Sequence, residues 1–198
     1  MGASMQAYSV DARALGRMIG SADRKLLDGL LNELAVELDH LDVAAKAWGE
    51  LASARNALTA MILEPNYAAG IPELSNDAAI YIYVFKMLCD HYGTSLDSGA
   101  YTMSSDWLAT VEEELDAAGV CCEPNEYFAG ATELPLPRAF PFPIAGCIEF
   151  EAMAEMHEEM EQALSADVDS DVLETVGELS EWASECLKER RDLVWFFF

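Results

Sequence analysis

Apolar residues recur every three or four positions along most of the chain, which is the spacing of one face of an α-helix. Near the start, Ser9 precedes VDARALGRMI, Gly20 follows it, and Ser21 opens a second run. Because Ser favours helix starts and Gly favours helix ends, we predict two helices here. One broad face of the second helix is apolar and is formed by Leu26, Leu27, Leu30, Leu31, Leu34 and Leu38.

Two longer apolar runs predict further helices. The first runs from about residue 41 to 63 and ends before Pro65, since a residue before proline disfavours helical geometry. Its apolar stripe comprises Val43, Ala47, Leu51, Leu58 and Ile62. The second, AAIYIYVFKMLCDHY, is capped by Asn76 or Asp77 and ends at Gly93. It is so apolar that we expect a central buried helix, although IYIYVF is also compatible with a β-strand.

A fifth helix, WLATVEEELDAA, is predicted between a cap at Ser105 or Asp106 and a stop at Gly119. From about 121 to 146 the pattern changes, because five of the seven prolines lie there. Proline disrupts helix interiors, so we predict an extended, non-helical segment. We expect this segment, here called the strap, to pack across the helices through Leu134, Leu136, Phe140, Phe142 and Ile144.

The last quarter of the chain predicts two acidic helices, at about 149–164 and 172–191, followed by the aromatic end VWFFF. Exposing those aromatic side chains would forfeit about 1.5–3 kcal/mol each, so we expect the end to dock into the core. A partner-binding hook is the alternative.

The fold class that follows is mainly α. We predict one helical-bundle domain over residues 1–198, with a helical core at 1–120, the strap at about 121–146 and little or no β structure. Residues 147–198 supply the two acidic helices and the aromatic C-terminus.

Charge narrows the possible partners. The chain has 36 acidic and 11 basic residues, a net charge of −25, and 52% hydrophobic residues, which suits a folded acidic protein. Nucleic acid and anionic membranes are disfavoured as partners, because both are bound through clustered Lys and Arg. The five cysteines show no CxxC spacing, and we see neither a secretory signal nor a membrane span, so we expect a cytoplasmic protein.

The negative charge is unevenly distributed. Residues 87–187 contain 23 acidic residues and one basic residue, Arg138, whereas residues 1–86 contain 11 and 7. Like charges four positions apart cost a helix about 0.2–0.5 kcal/mol per pair. We therefore predict that the outward carboxylates bind a basic protein, through Glu151, Glu155, Glu158 and Glu159 and then Glu174, Glu178, Glu181 and Glu185.

No motif names a reaction. HExxH, GxSxG, GxGxxG and the phosphate-binding loop are absent, so we predict no catalytic residue, no cofactor, no metal and no enzyme. Asp167, Asp169 and Asp171 superficially resemble a calcium loop, but Val172 stands where that loop needs Gly. An Asp171–Glu174 capping box is the simpler interpretation.

Three segments carry a family resemblance. LGRMIGSADRKLLDGL, YIYVFKMLC and LPLPRAFPFPIAG occur in this order, and their combination resembles an uncharacterised family of small bacterial cytosolic proteins. The resemblance implies no activity. In size, acidity and helix content the chain is also similar in type to the immunity proteins that bacteria pair with toxins.

Three functional hypotheses follow. The leading one is an immunity protein or antitoxin that inhibits a basic toxin by direct binding. The second is a small-molecule-binding protein or enzyme with a pocket under the strap, near Tyr81, Tyr83, Trp107 and Phe140. The third is a DNA-mimic regulator, which also needs an acidic face.

Overall fold

The protein is mainly helical and also contains a small sheet. The computed structural model describes residues 5–47, 52–72, 76–96, 104–139 and 143–198. The helices in these ranges are α1 (Ala12–Met18), α2 (Arg24–Glu33), α3 (Ala35–Ala47), α4 (Ala54–Leu63), α5 (Asn76–Tyr92), α6 (Ser105–Ala117), α7 (Pro124–Ala129), α8 (Met153–Ala163) and α9 (Ser170–Glu189). The strands are β1 (Met5–Val10), β2 (Thr94–Leu96), β3 (Ile144–Ile148) and β4 (Asp192–Phe197).

The four strands form one sheet in the order β2-β1-β4-β3, so the prediction of little or no β structure is wrong. Strand β1 pairs antiparallel with β2 and with β4, and in the second pair Met5 lies opposite Phe197. Ser9, predicted to cap a helix, lies buried inside β1. Every residue of β4 is buried, and a short continuous apolar run of this kind does not show the alternation by which strands are recognised.

Contacts between Cα atoms divide the chain into two compact units. The helical unit comprises Ala12–Tyr92 and Pro135–Ile144. The sheet unit comprises Met1–Asp11, Gly93–Leu134 and Ala145–Phe198. The single-domain organisation of the whole chain stays a prediction.

In the helical unit, the cap of α2 is Asp23, whose carboxylate accepts from the amides of Lys25 and Leu26. The predicted helix over 41–63 is wrong, since α3 ends at Ala47 and α4 begins again after its own cap, Ser53. Leu51 lies outside the described residues. Helix α5 is confirmed as the buried helix, with Ile80, Val84, Phe85, Leu88 and Cys89 at its inner face.

The proline-rich segment has two parts. Pro124 stands in the first turn of α7, where proline is tolerated because its fixed φ suits a helix start, so the non-helical prediction is wrong there. Residues 135–144 belong to the helical unit, where the Tyr67 hydroxyl donates to the Pro135 carbonyl and its ring stacks on Tyr81. Phe140 and Phe142 lie outside the described residues.

In the sheet unit, the predicted inward faces of the last two helices are confirmed. The buried residues are Met153, Met156 and Met160 of α8 and Val172, Val176, Leu179, Ala183 and Cys186 of α9. Leu164, predicted to join them, is exposed. The aromatic end is buried as predicted, but as the inner strand β4. Its Trp195 ring meets Phe128 and Phe197 edge to face, at centroid distances of 5.8 and 5.3 Å.

Gly146 gives the first testable prediction. A Cβ at this position would lie 2.6 Å from Cζ2 of Trp195 and 3.0 Å from Cβ of Ala131. We expect Gly146→Ala to lower the free energy of unfolding by about 1–3 kcal/mol, the usual cost of overpacking a core. Urea unfolding followed by tryptophan fluorescence measures this.

Gly177→Ala is the matched control in the same unit. Its Cβ would meet the nearest side-chain atom, Cδ2 of Leu164, at an ordinary 3.7 Å, and the residue lies within α9. We expect it to raise the free energy of unfolding by up to about 1 kcal/mol, because alanine is the better helix former. Equal effects from both substitutions would contradict the packing described.

Candidate functional site

Most of the net negative charge belongs to one unit. The sheet unit carries 25 acidic and three basic residues, whereas the helical unit carries 11 and eight. The excess of acidic residues seen in one part of the sequence is therefore an excess in the sheet unit. Residues 1–11 and 188–198, which lie outside the acidic stretch of the sequence, belong to this same unit.

The sheet unit contains a concave surface lined by carboxylates, here called the acidic groove. Its volume is about 490 Å³, and it lies among α7, the start of α8 and the end of β3. Six carboxylates line it, from Glu123, Glu126, Glu149, Glu151, Glu155 and Glu159. Apolar Ala131, Ile148 and Ala152 share the lining, and none of its described residues is Lys or Arg. The groove therefore offers both negative charge and apolar contact.

A short bridge between distant segments assembles the groove. Helix α7 ends at Ala129, with Gly130 as its C-cap, and the chain then turns so that the Thr132 amide donates to the Cys147 carbonyl at 2.8 Å. The Cys147 amide donates back to the Thr132 carbonyl at 3.2 Å. This pairing brings the carboxylates of α7 beside those that follow β3.

A second, smaller depression of about 280 Å³ continues the acidic surface towards α6. It adds Glu112, Glu113 and Asp116 and shares Glu123 and Glu126 with the acidic groove. The Glu112 carboxylate accepts from the Asn125 amide at 2.6 Å, which fastens the start of α7 to α6. Together the two depressions present nine carboxylates.

Two groups that line the acidic groove or the smaller depression have raised pKa values. Burial, a hydrogen bond to Glu159 and the charges of Glu159 and Glu155 raise the pKa of Tyr127 above its usual value. Burial and nearby carboxylates, Glu159 first among them, raise the pKa of the Cys122 thiol to about 12. A thiol with that pKa is protonated at neutral pH, so it is a poor nucleophile.

Only part of the predicted acidic set lines the groove. Glu151, Glu155 and Glu159 do, whereas Glu158 is within hydrogen-bond reach of the Gln162 amide of its own helix, at 3.4 Å. On α9, Glu174 and Glu181 are exposed, and Glu178 and Glu185 are half-buried. Glu185 pairs with Lys188 at 3.0 Å. The α9 residues line neither depression.

Sequence reasoning missed Glu123, Glu126 and Glu149. Glu123 and Glu126 lie at the start of the segment that is predicted to be extended because of its prolines. The sequence pattern therefore does not predict that they lie at a helix facing α8. The sequence predicts Glu149 as the start of an acidic helix, whereas α8 begins at Met153. Pro124 in the first helical turn is the signal that would have revealed α7.

Ser180, His157 and Glu161 form a hydrogen-bonded chain that superficially resembles a hydrolytic triad. Ser180 Oγ donates to Glu161 Oε1 at 2.6 Å and lies 2.9 Å from His157 Nδ1. Because the hydroxyl proton points to Glu161, Nδ1–H must donate to Oγ, the reverse of what activates a nucleophile. Ser180 is also only 2% exposed. These two hydrogen bonds join α8 to α9 and hold the register of the two helices.

An aspartate caps the start of α9, as predicted, but it is Asp169 and not Asp171. Asp169 is the N-cap, and its carboxylate accepts from the Asp171 amide at 2.9 Å, so the predicted Asp171–Glu174 box is wrong. Within the ranges that the structure describes, no group of three His, Cys, Asp or Glu residues is arranged to hold a metal ion.

The residues predicted to line a pocket under the strap are divided between the units. Trp107 belongs to the sheet unit, where its indole N–H donates to Thr175 Oγ1 at 2.9 Å. Tyr81 and Tyr83 belong to the helical unit, and Phe140 lies outside the described residues. That pocket stays a prediction.

Comparison with known proteins places the chain in one family. Residues 1–198 match the family described as a domain of unknown function, DUF7691. The chain belongs to the DUF7691 family. No curated protein and no solved structure matches it. Among its described residues, no helix is both long enough and apolar enough to cross a membrane.

Tyr127 provides a test of the groove's electrostatics. We expect Glu159→Gln to lower the pKa of Tyr127, because it removes a negative charge and the carboxylate that stabilises the phenol. Ultraviolet titration of tyrosinate measures this, and Tyr127→Phe identifies the signal. Glu158→Gln removes the same charge from a residue outside the groove and should leave the titration unchanged.

The same group gives a stability test with a defined sign. Above pH 10 the unfolded Tyr127 loses its proton, whereas the folded hydroxyl, with its raised pKa, keeps it. The unfolded state then binds fewer protons, so the free energy of unfolding falls as pH rises through 10. Urea unfolding at pH 8 to 11 should show a shallower fall for Tyr127→Phe, and an unchanged slope would contradict the assignment.

Proposed function

We propose that this protein is an acidic binding module that inhibits a basic protein partner by occupying its functional surface, in the manner of an immunity protein or antitoxin. One observation carries the proposal: a single compact unit gathers nine carboxylates into two adjoining depressions. The partner is a protein with a protruding Lys- or Arg-rich loop, and binding takes place in the cytoplasm.

The charge of the groove would act mainly on the rate of association. A concave surface of one sign focuses the electric field and speeds the approach of a basic partner, with a strong dependence on ionic strength. Closely spaced carboxylates also suit Arg, whose planar guanidinium binds a carboxylate through two parallel hydrogen bonds.

Apolar contact would slow dissociation. Ala131, Ile148 and Ala152 share the groove lining with the carboxylates, so a guest side chain meets apolar surface as well as charge. Tyr127 adds an aromatic ring, to which a guanidinium is also attracted. Charge and apolar contact together suit a specific inhibitor better than a surface kept acidic for solubility alone.

The shape of the surface favours an inhibitor over a DNA mimic. A DNA mimic imitates the phosphates on the outside of a rod-like duplex, which carries about one negative charge per 1.7 Å of helix axis. Here the carboxylates line depressions, which receive a protruding partner instead.

The decisive experiment compares two variants of equal charge. The groove variant carries Glu123→Gln, Glu126→Gln and Glu155→Gln, and the control variant carries Glu158→Gln, Glu174→Gln and Glu181→Gln. Each is immobilised beside the wild type and exposed to host lysate at low and high salt. We expect a basic protein that wild type and control retain, that high salt releases, and that the groove variant fails to retain.

Neutralisation completes the test. The captured protein, expressed alone in a surrogate host, should slow growth, and co-expression of the wild type or the control variant should restore it. The groove variant should restore growth poorly, since loss of several charge-assisted contacts weakens binding by roughly 100-fold or more. A captured protein without toxicity, or equal rescue by both variants, would contradict the proposal.

A further inference from the structure

Helix α3 of the helical unit carries two apolar side chains that face solvent. Val36 and Val43 are 62% and 68% exposed, the largest values among the large hydrophobic residues that the structure describes. Both lie within the helix, where valine is a weaker helix former than Ala, Leu or Lys. Neither helix propensity nor solubility favours valine at these two positions.

The exposed valines belong to a stripe. At about 100° per residue, Val36, His40, Val43 and Ala47 fall within about 60° of one another, spaced as the seam of two paired helices. All four are exposed. The buried residues of α3, Leu38 and Ala45, point to the opposite side, into the unit's own core. The stripe is therefore a second face, apolar at three of its four positions, and it lies opposite the one that anchors the helix.

Charges beside the stripe are complementary to a second copy of the same helix. Asp39 and Lys46 flank the same edge of the stripe, seven residues apart. In an antiparallel pair, each Asp39 comes beside the Lys46 of the other copy, and Val43 packs against His40. In a parallel pair, Ala44 of the other copy, and not Lys46, would lie beside Asp39. Arg55 of the same copy donates two hydrogen bonds to the Asp39 carboxylate, and both end at Oδ1, at 2.8 and 3.2 Å.

We propose that the protein self-associates as a two-fold dimer through antiparallel pairing of α3, with the stripe of Val36, His40, Val43 and Ala47 at the interface. The net charge of −25 opposes association, but the helical unit itself carries only 11 acidic and eight basic residues. At physiological salt, charges further away than about 8 Å are largely screened.

The size of the contact sets the expected affinity. One helix of 13 residues offers less than the roughly 800 Å² per partner of a standard interface. The dimer is therefore weak, with a dissociation constant in the micromolar range or above. It forms at high local concentration and exchanges quickly.

Sedimentation equilibrium of the full chain, over micromolar to millimolar concentrations at physiological salt, tests the proposal. We expect a reversible monomer–dimer equilibrium for the wild type. Val43→Lys places two ammonium groups in the seam and should raise the dissociation constant roughly 100-fold. Since lysine is a good helix former at this exposed site, circular dichroism and thermal unfolding should show an intact monomer.

Two further variants separate this interface from general stickiness. Leu164→Lys changes another exposed apolar residue, in the sheet unit, and should leave the dissociation constant unchanged. Lys46→Glu should raise it about three- to tenfold if the helices are antiparallel, because two attractive pairs become repulsive. A wild type that stays monomeric throughout, or a dimer that Val43→Lys does not weaken, overturns the proposal.

Discussion

The pairing of β1 with β4 is the interaction on which the sheet unit depends. The six residues of β1 pair with the six residues of β4, and β3 lies on the other side of β4. The aromatic side chains of β4 then give the unit's helices an apolar surface to pack on, since Trp195 and Phe197 share one core with α6, α8 and α9. Each element that carries a groove carboxylate is fixed, directly or through one neighbour, to this pairing.

A groove so rich in like charge opposes its own formation. The acidic groove and the smaller depression together hold nine carboxylates, with no described basic side chain in their linings. These carboxylates repel one another, and the helices that carry them gain nothing locally from the arrangement. The opposing contribution comes from the opposite faces of those helices, where Met153, Met156 and Met160 are fully buried. The two faces of these helices therefore differ in role: the apolar faces supply stability, and the opposite faces carry the carboxylates that line the depressions.

Local periodicity predicted those features that a single helix determines. The inward face of α9 and the buried methionines of α8 follow from apolar spacing alone, and the burial of α5 follows from its nearly continuous apolar sequence. Local periodicity could not predict the sheet. Strands β1 and β4 are short and lie more than 180 residues apart in the chain, and no local pattern specifies the partner of a strand. The groove combines both cases: a helical row predicted Glu155 and Glu159, whereas Glu126 lies beside them because of tertiary contacts of α7, such as the Thr132–Cys147 bridge.

The position of β4 between β1 and β3 also constrains how the protein is made. Strands β1 and β3 precede it in the chain, but neither can acquire its inner partner until residues 192–197 have been synthesised. During translation both strands present open edges, and unpaired edges are prone to associate with other chains. The sheet unit thus folds late, whereas most of the helical unit, residues 12–92, emerges earlier and forms its contacts mainly within that stretch. Until β4 is made, these edges of β1 and β3 stay uncovered in the nascent chain.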